Sequence, residues 1–486
     1  MTPQEVSDAW SRYFVRDNRV VGIFIQDDQP RRAQMSPAPS LDEVLSKYEF
    51  KAEGQEAEVF DSSAANLNAR TERFAIGDVN VALLPKKTRG QTVVVRTQFR
   101  FGNYESRQNK RAISALMSAM LERGTTKMTR EQINDAFTNL QIEGGVGQFT
   151  TTREHLADAL KLMDHLWTES TMPQKDFDEL KAEFKNDVQS RMDDPRVLAR
   201  DALIEHFNHY EANDPRRRLT SAELVKAIDA ATLDDVKNFY ANQFGLNRGE
   251  ISIVGDFDPE EVKAMLNDIV ASKASTVPYE RIVREHFETP ATRIVIDTPD
   301  KENATIMARF DFAMSKGDPD DEAMQIANWI FGGSSGLSNR LMLRLRQKDG
   351  LSYGAGSSVN IPAFGNAASW SMQAILAPQN LRKAEIALYE QIDRVVKEGF
   401  TQEELDEAKK GFIDYRAVNR SQDALVATSW LELMNEGHDW TELSERDEKV
   451  MKLTLEEVNA AFRKMVNRDK LTVILAGDQK KAMTQE

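Results

Sequence analysis

TLDDVKNFYANQFGLNRGEISIVGD, residues 232–256, recurs as TLEEVNAAFRKMVNRDKLTVILAGD, residues 454–478. Each copy opens on a threonine suited to capping a helix, with acidic residues in the first turn and a valine soon after. Apolar residues then follow at helical spacing, and a β-branched run closes on Gly-Asp. The pattern predicts helices over 233–244 and 455–466, strands at Ile251–Val254 and Leu471–Leu475, and a turn at the end of each. A third, partial copy starts at Thr2. Thr2 and Glu5 form a capping box, Pro3 takes the first helical position, and Val20–Ile25 reads as the strand.

The spacing of 222 positions from Thr232 to Thr454 recurs, with small insertions, elsewhere in the chain. Val93, Val95, Thr97, Phe99 and Phe101 alternate along one strand face. Ile306, Ala308, Phe310 and Phe312 follow the last four at an offset of 211. A helix follows each strand, with an apolar stripe of Ala112, Ala115, Leu116, Ala119 and Met120 in the first, and Ala323, Ile326, Ala327, Ile330 and Phe331 in the second, at the same offset. PQKDFDELKAEF (173–184) resembles TQEELDEAKKGF (401–412), where Thr401 and Glu404 form another capping box. These repeats make the chain α+β, with two tandem homologous modules at 66–278 and 279–486. Residues 1–25 read as the C-terminal tail of a preceding module that this chain lacks, and 26–65 as a polar linker containing Pro, Ser and Glu.

A chain of 486 residues exceeds one ordinary core, which agrees with two modules. No run approaches the roughly 20 apolar residues that span a bilayer, so membrane insertion is not expected. The net charge of −15 and pI near 5.1 argue against nucleic acid or an anionic membrane as the main partner, while a basic peptide stays compatible. With no cysteine, disulfides, thiolate nucleophiles and sulfur-ligated zinc are excluded. The N-terminus carries charges throughout and does not read as a secretory signal, so the chain is cytosolic or its signal lies elsewhere.

Several clusters invite chemistry. Gly332-Gly333-Ser334-Ser335-Gly336 fits a nucleophile elbow, with His438 downstream as a base, but an elbow needs a preceding strand and 323–331 has helical spacing. His206 and His209, beside Glu205, could share a helix face, yet zinc needs a third ligand that His155 or His165 would supply only by an accident of folding. Asp193-Asp194 and Asp256/Asp258 sit next to Pro or Gly and read as turn formers. In LRLRQKDGLSYGAGSS, a helix over 341–348 should end at Asp349-Gly350, with glycine as left-handed cap, and Leu351–Val359 should be a strand of small residues. Arg346 and Tyr353 would then converge across the turn as a guanidinium fork and a phenol, both suited to a carbonyl gaining negative charge. On chemistry alone, a helix-capping arginine and an edge tyrosine is the simpler reading.

RGQTVVVRTQFRFGN, MLERGTTKMTREQINDAF, NDPRRRLTSAEL, VGDFDPEEV and SNRLMLRLRQKDGLSYG, in this order, resemble the pitrilysin or insulinase type of zinc metallopeptidases, with the inverted H-x-x-E-H motif, over nearly the whole chain. The resemblance implies four LuxS-like modules, each a mostly antiparallel sheet packed with helices, in two halves closing around a peptide. This chain resembles the C-terminal, non-catalytic half, its third and fourth modules.

Laid on the family pattern, the two zinc histidines and the general-base glutamate fall on Ala115, Ala119 and Ser118, none of which can bind zinc or move a proton. The distant ligand falls near Asn186 or Asp187. The second module offers Ile326, Trp329 and Ile330, equally silent. The family's arginine and tyrosine, seven residues apart, match Arg346 and Tyr353. The resemblance implies that Tyr353 donates to the scissile carbonyl or its tetrahedral intermediate and that Arg346 fixes a nearby carbonyl. Gly144-Gly145 and Gly354–Ser358 would be strand edges lining the chamber.

The implied function is the substrate-binding half of a zinc metalloendopeptidase that degrades or processes peptides. No cofactor belongs to this chain, and Zn2+ is expected in an N-terminal partner half, in the same polypeptide or a separate subunit. The alternative is a proteolytically inactive scaffold or binding subunit of the same fold. Bacterial relatives are often periplasmic, which favours that compartment over the cytoplasm.

Overall fold

The computed structural model describes residues 2–23, 57–299, 301–334 and 338–483. Met1–Glu53 separates as one unit. In it, α1 (Pro3–Tyr13) carries the expected capping box between Thr2 and Glu5, and Trp10 stacks on Phe14 with centroids 4.1 Å apart. Val20–Ile23 forms no strand, contrary to the sequence reading, and Phe24 and Ile25 lie outside the described residues. A β-branched run becomes a strand only beside a ladder partner, and the described part of this unit contains none.

From Gly54 onward the chain is a second unit containing two sheets. Its first half runs α2 (Ala64–Arg70), β1 (Glu72–Ile76), β2 (Asp78–Pro85), β3 (Thr92–Phe99), α3 (Arg111–Met120), α4 (Arg130–Asn139), β4 (Glu143–Gly145) and β5 (Gln148–Thr152). There follow α5 (Leu156–Thr168), α6 (Gln174–Gln189), α7 (Pro195–His206), α8 (Ser221–Ala230), α9 (Leu233–Asn242), β6 (Arg248–Gly255) and α10 (Pro259–Ser272). The second half runs β7 (Arg293–Asp297), β8 (Ala304–Ala313), α11 (Asp321–Asn328), α12 (Arg340–Met342), β9 (Ser352–Asn360), β10 (Ala367–Leu376) and α13 (Leu381–Glu398). It ends with α14 (Gln402–Arg420), α15 (Asp423–Glu436), α16 (Trp440–Lys452), α17 (Leu455–Met465), β11 (Thr472–Gly477) and α18 (Gln479–Met483).

The repeat is a repeat of topology. The sheets are ordered β1-β2-β6-β3-β5-β4 and β7-β11-β8-β10-β9. β6 lies parallel to β2 and antiparallel to β3, as β11 does to β7 and β8, and every other pair is antiparallel. The two quoted stretches thus form the same helix and the same strand of each sheet, and their Thr232 and Thr454 capping boxes are both made. β4 and β9, which carry Gly144-Gly145 and Gly354, are equivalent edge strands.

The inner face of each sheet builds its own core, around Val81, Val95 and Ile253 in the first and Phe310, Trp370 and Leu475 in the second. The outer faces are covered reciprocally. Trp430 and Leu433 of α15, with Trp440, bury Ala82, Leu84, Val94 and Val254 of the first sheet, joined by Leu67 of α2. Ala199 and Leu203 of α7 bury Met307, Ile474 and Ala476 of the second. Each half therefore supplies the helix that covers the other's sheet. This explains why VALL (81–84) and VILA (473–476) are unbroken apolar runs rather than alternating ones, and why ISIV (251–254) is buried at every position, Ser252 included. α2 also begins inside the stretch read as linker, and Phe60 packs beside it.

One stripe differs from its sequence reading. On α3 the buried residues are Ala112, Ile113, Leu116, Met117 and Met120, while Ala115 is exposed and Ala119 half-buried. Alanine fits either face, so the long side chains of Ile113 and Met117 decide which one turns inward.

Candidate functional site

A short turn, α12, continues as a π-helical stretch, Leu343–Lys348, with Arg346 in its last turn. It is anchored from behind, where Arg340 holds Glu404 at 2.6 and 2.7 Å and donates to the Gly399 carbonyl. Burial raises the Glu404 pKa, but bonds from Arg340 and the Thr401 amide outweigh it and hold the carboxyl below its usual value. Gly350 then turns the chain at φ +60°, the left-handed cap expected of it, and β9 begins two residues later.

The register of β9 against β10 breaks at this point. Ile375 faces Gly354 and Leu376 faces Ser352, which leaves Tyr353 as the extra residue of a bulge. Ser352 is buried, and its hydroxyl donates toward the carbonyls of Gly354 and Ile375 at 2.8 and 2.7 Å and receives the Gly354 amide at 3.1 Å. By strict alternation Tyr353 would share the core face with Ala355 and Val359, both packed against it. The bulge re-aims it to 86% exposure. Its ring lies 5.6 Å from the Arg346 guanidinium. Arg346 and Tyr353 thus meet at the start of an edge strand, as donors open to solvent. Deeper in β9, Ser357 Oγ donates to Asn328 Oδ1 at 2.8 Å, and a Cβ on Gly332 would lie 2.7 Å from that hydroxyl. The sequence reading missed Ser352 and Asn328, since nothing local marks a bulge.

Ala115 and Ser118 are exposed on α3, while Ala119 is half-buried and packs against the first core. Ala115 lines a cavity of about 560 Å3 together with Phe184, Asp187 and Val188 of α6, so Asp187 rather than Asn186 shares a space with the helix. Asp187 is ion-paired with Arg191. Two alanines, a serine and one paired aspartate do not fit zinc, and no group of three or more His, Cys, Asp or Glu among the described residues is arranged to hold a metal.

The other candidates are structural. α7 ends at His206, so His209 is not on its face. His206 contacts the Pro290 carbonyl at 2.8 Å, and His209 contacts Thr289 Oγ1 at 2.7 Å and stacks on Phe287. His155 stands at the N-terminal boundary of α5 without a side-chain capping bond, and His165 contacts Thr125 Oγ1 at 2.7 Å. Asp194 and Asp258 cap α7 and α10; Asp193 pairs with Lys301, and Asp256 with Lys87 and Arg153. Ser334 follows a π-helical turn, Trp329–Gly333, rather than a strand, and Ser335 and Gly336 lie outside the described residues.

NDPRRRLT is tied by Asp214, 7% exposed, which accepts from the Arg216 guanidinium at 2.7 and 3.0 Å, the Arg216 amide at 2.8 Å and Tyr104 Oη at 2.9 Å. The Arg216 guanidinium first, and then its amide and Tyr104, outweigh burial and hold the Asp214 carboxyl at about 2. A depressed carboxyl pKa stabilises the fold fully above its unfolded value, near 4, and the contribution fades as pH falls toward 2. Asp214→Asn should therefore cost on the order of 1–2 kcal/mol at pH 7 in urea unfolding, with the difference shrinking as pH is lowered from 4 to 2.

Residues 230–412 match the family model described as the peptidase M16 inactive domain. A non-peptidase homolog, YmxG of Helicobacter pylori, is 21% identical over 398 residues, covering 80% of this chain and 89% of that protein. The crystal structure of a peptidase M16 inactive domain from Pseudomonas fluorescens covers 84% of this chain and 98% of its own, with TM-score 0.72 and 22% identity. The periplasmic protease PqqL of Escherichia coli superposes on 98% of this chain with 50% of its own, with TM-score 0.62 and 12% identity.

Proposed function

With residues 230–412 matching the peptidase M16 inactive domain, we propose that the chain is a proteolytically inactive binding subunit that takes an extended peptide along the edge of β9, where Tyr353 and Arg346 hold the peptide's backbone carbonyls. The observation that carries this reading is the bulge. It costs a ladder bond and turns a large aromatic residue out to 86% exposure beside a guanidinium that forms no ion pair among the described residues. An edge strand supplies unpaired backbone groups for a peptide to join. Ala115, Ser118 and Ala119 offer neither a ligand nor a base, and a homologue covering most of the chain is named a non-peptidase, which supports binding without cleavage.

A second reading rests on the same pair. If a zinc-bearing half of the M16 kind closes over this one, Tyr353 and Arg346 would reach the carbonyl under attack, with the zinc, in that other half, activating the water. The likeness of this chain to half the length of PqqL supports the idea of a partner half.

Both readings are tested by titrating a fluorescent extended peptide with the chain in chelator. Binding should persist without zinc, no cleavage should follow when zinc is restored, and Tyr353→Ala should weaken binding by about fivefold or more, roughly 1 kcal/mol for an aromatic contact and a hydrogen bond. Binding that requires zinc, or that ignores the substitution, would sink the proposal. Cleavage by a mixture with a zinc-bearing half, lost in Tyr353→Phe, would favour the second reading.

A further inference from the structure

α7 covers the β7–β11–β8 part of the second sheet's outer face. The β10–β9 part, with Ser371, Gln373 and Ser358, is polar and forms the floor of a cavity of about 620 Å3 under α7. This cavity shares Arg191, Val197, Arg200, Ile204 and Arg218 with the one beside Ala115, so a single channel runs from β9 to the silent helix α3.

The channel's charge is opposite to that of the molecule. The whole chain carries −15, yet Arg111, Arg191, Arg196, Arg200, Arg218 and Arg309 line the channel against Asp187 and Asp194 alone. Some of these cations are satisfied. Arg191 is paired with Asp187, Arg309 holds Asp311 at 2.7 and 2.9 Å, and Arg200 reaches Asp201 at 3.0 Å and Ser221 Oγ at 2.9 Å. Arg196 and Arg218 have no side-chain partner among the described residues, and Arg111 reaches only the Pro215 carbonyl at 3.4 Å. Burial and Arg309 lower the Arg218 pKa, Asp311 opposes them and Arg111 adds to them, while burial with Arg218 and Arg111 pushes Arg284 down to about 10. Arg111, Arg196 and Arg218 all keep exposed surface, and gathering like charges there costs mutual repulsion that a bound anion relieves.

Resting on the reading that this chain binds an extended peptide, we propose that the channel selects an acidic one, its Asp and Glu carboxylates held by Arg218, Arg196 and Arg111 and its backbone lying over Ser358, Ser371 and Gln373. Guanidinium forks pair with carboxylates at close range and with directional bonds. The apolar walls, Val197 and Ile204, suit side chains between the carboxylates and do not suit a nucleic-acid backbone, which the acidic outer surface also repels.

The test compares twelve-residue fluorescent peptides with Glu, Gln or Lys at alternate positions, and a twelve-nucleotide single strand, on the full chain. The Glu peptide should bind at least about tenfold more tightly than the Gln peptide, and more weakly as salt rises. Arg196→Gln with Arg218→Gln should remove most of that difference and leave the Gln peptide unchanged. Neither arginine has a partner to lose, so the fold should survive, which thermal unfolding checks. Arg394→Gln, on α13 and paired only with Glu398, should change nothing. Equal binding of Glu and Gln peptides, an unaffected double variant, or tighter binding of the oligonucleotide would overturn the acidic preference. Failure of all three peptides would instead overturn the peptide-binding reading beneath it.

Discussion

Arg446→Ala is expected to cost about 3–5 kcal/mol of unfolding free energy, read as a lower urea midpoint at unchanged slope. Arg446 of α16 is buried with two carboxylates that open α11, reaching Asp321 Oδ2 at 2.7 Å and Glu322 Oε1 at 2.9 Å. Asp321 also receives the Gly317 amide at 2.9 Å. Both acids benefit from the positive end of α11, but that effect is worth about 1 kcal/mol or less each and cannot replace the arginine. Removing it leaves two negative charges without water or a counter-ion. Removing the whole triad for apolar side chains of similar volume should cost much less, since the expense lies in the unpaired charge rather than the lost pair. A cost for Arg446→Ala below about 1 kcal/mol would mean that water reaches the triad.

Trp430→Ala is expected to cost about 3–5 kcal/mol as well, and to lower the stability of both sheets together. Trp430 belongs to the second half of the chain but is buried on the first half's sheet against Leu84, Val94 and Val254. Trp440 meets it edge-on at 6.0 Å and the Arg73 guanidinium lies 5.5 Å from its ring. With α7 packed reciprocally on the second sheet, neither half keeps a complete set of covered faces when separated. The wild type and the variant should both unfold in one calorimetric transition. Two transitions, with only the first sheet affected, would show that the halves are stable alone.

Much of this architecture was legible locally. Capping threonines sit where they were expected, at Thr232, Thr401 and Thr454, because a capping box needs only residues three apart. Alternation in β3 and β8, and the stripe of α11 and the π-helical turn after it, with the large side chains Ile326 and Phe331, reported their buried faces directly. Arg346 and Tyr353 meet because Gly350 permits the left-handed turn between them. The remainder depended on contacts distant in sequence. Reciprocal covering by α7 and α15 left only an indirect trace, the unbroken apolar runs in β2 and β11. The exposure of Tyr353 depends on a register slip against Ile375 and Leu376, which its own neighbours do not encode. Nothing local marks Arg111, Arg218 and Arg309 as converging, and the net charge of −15 left a basic peptide compatible rather than the acidic one their convergence favours.

Hydrogen–deuterium exchange of the full chain in chelator, with and without saturating peptide, shows whether β9 receives a peptide without a metal. Exchange of the amides in Ser352–Asn360 is expected to slow on binding, through bonds newly made at the strand's open edge, and the slowing should diminish in Tyr353→Ala. Unchanged exchange across β9 with peptide bound, or slowing that appears only after zinc is added, would contradict the account.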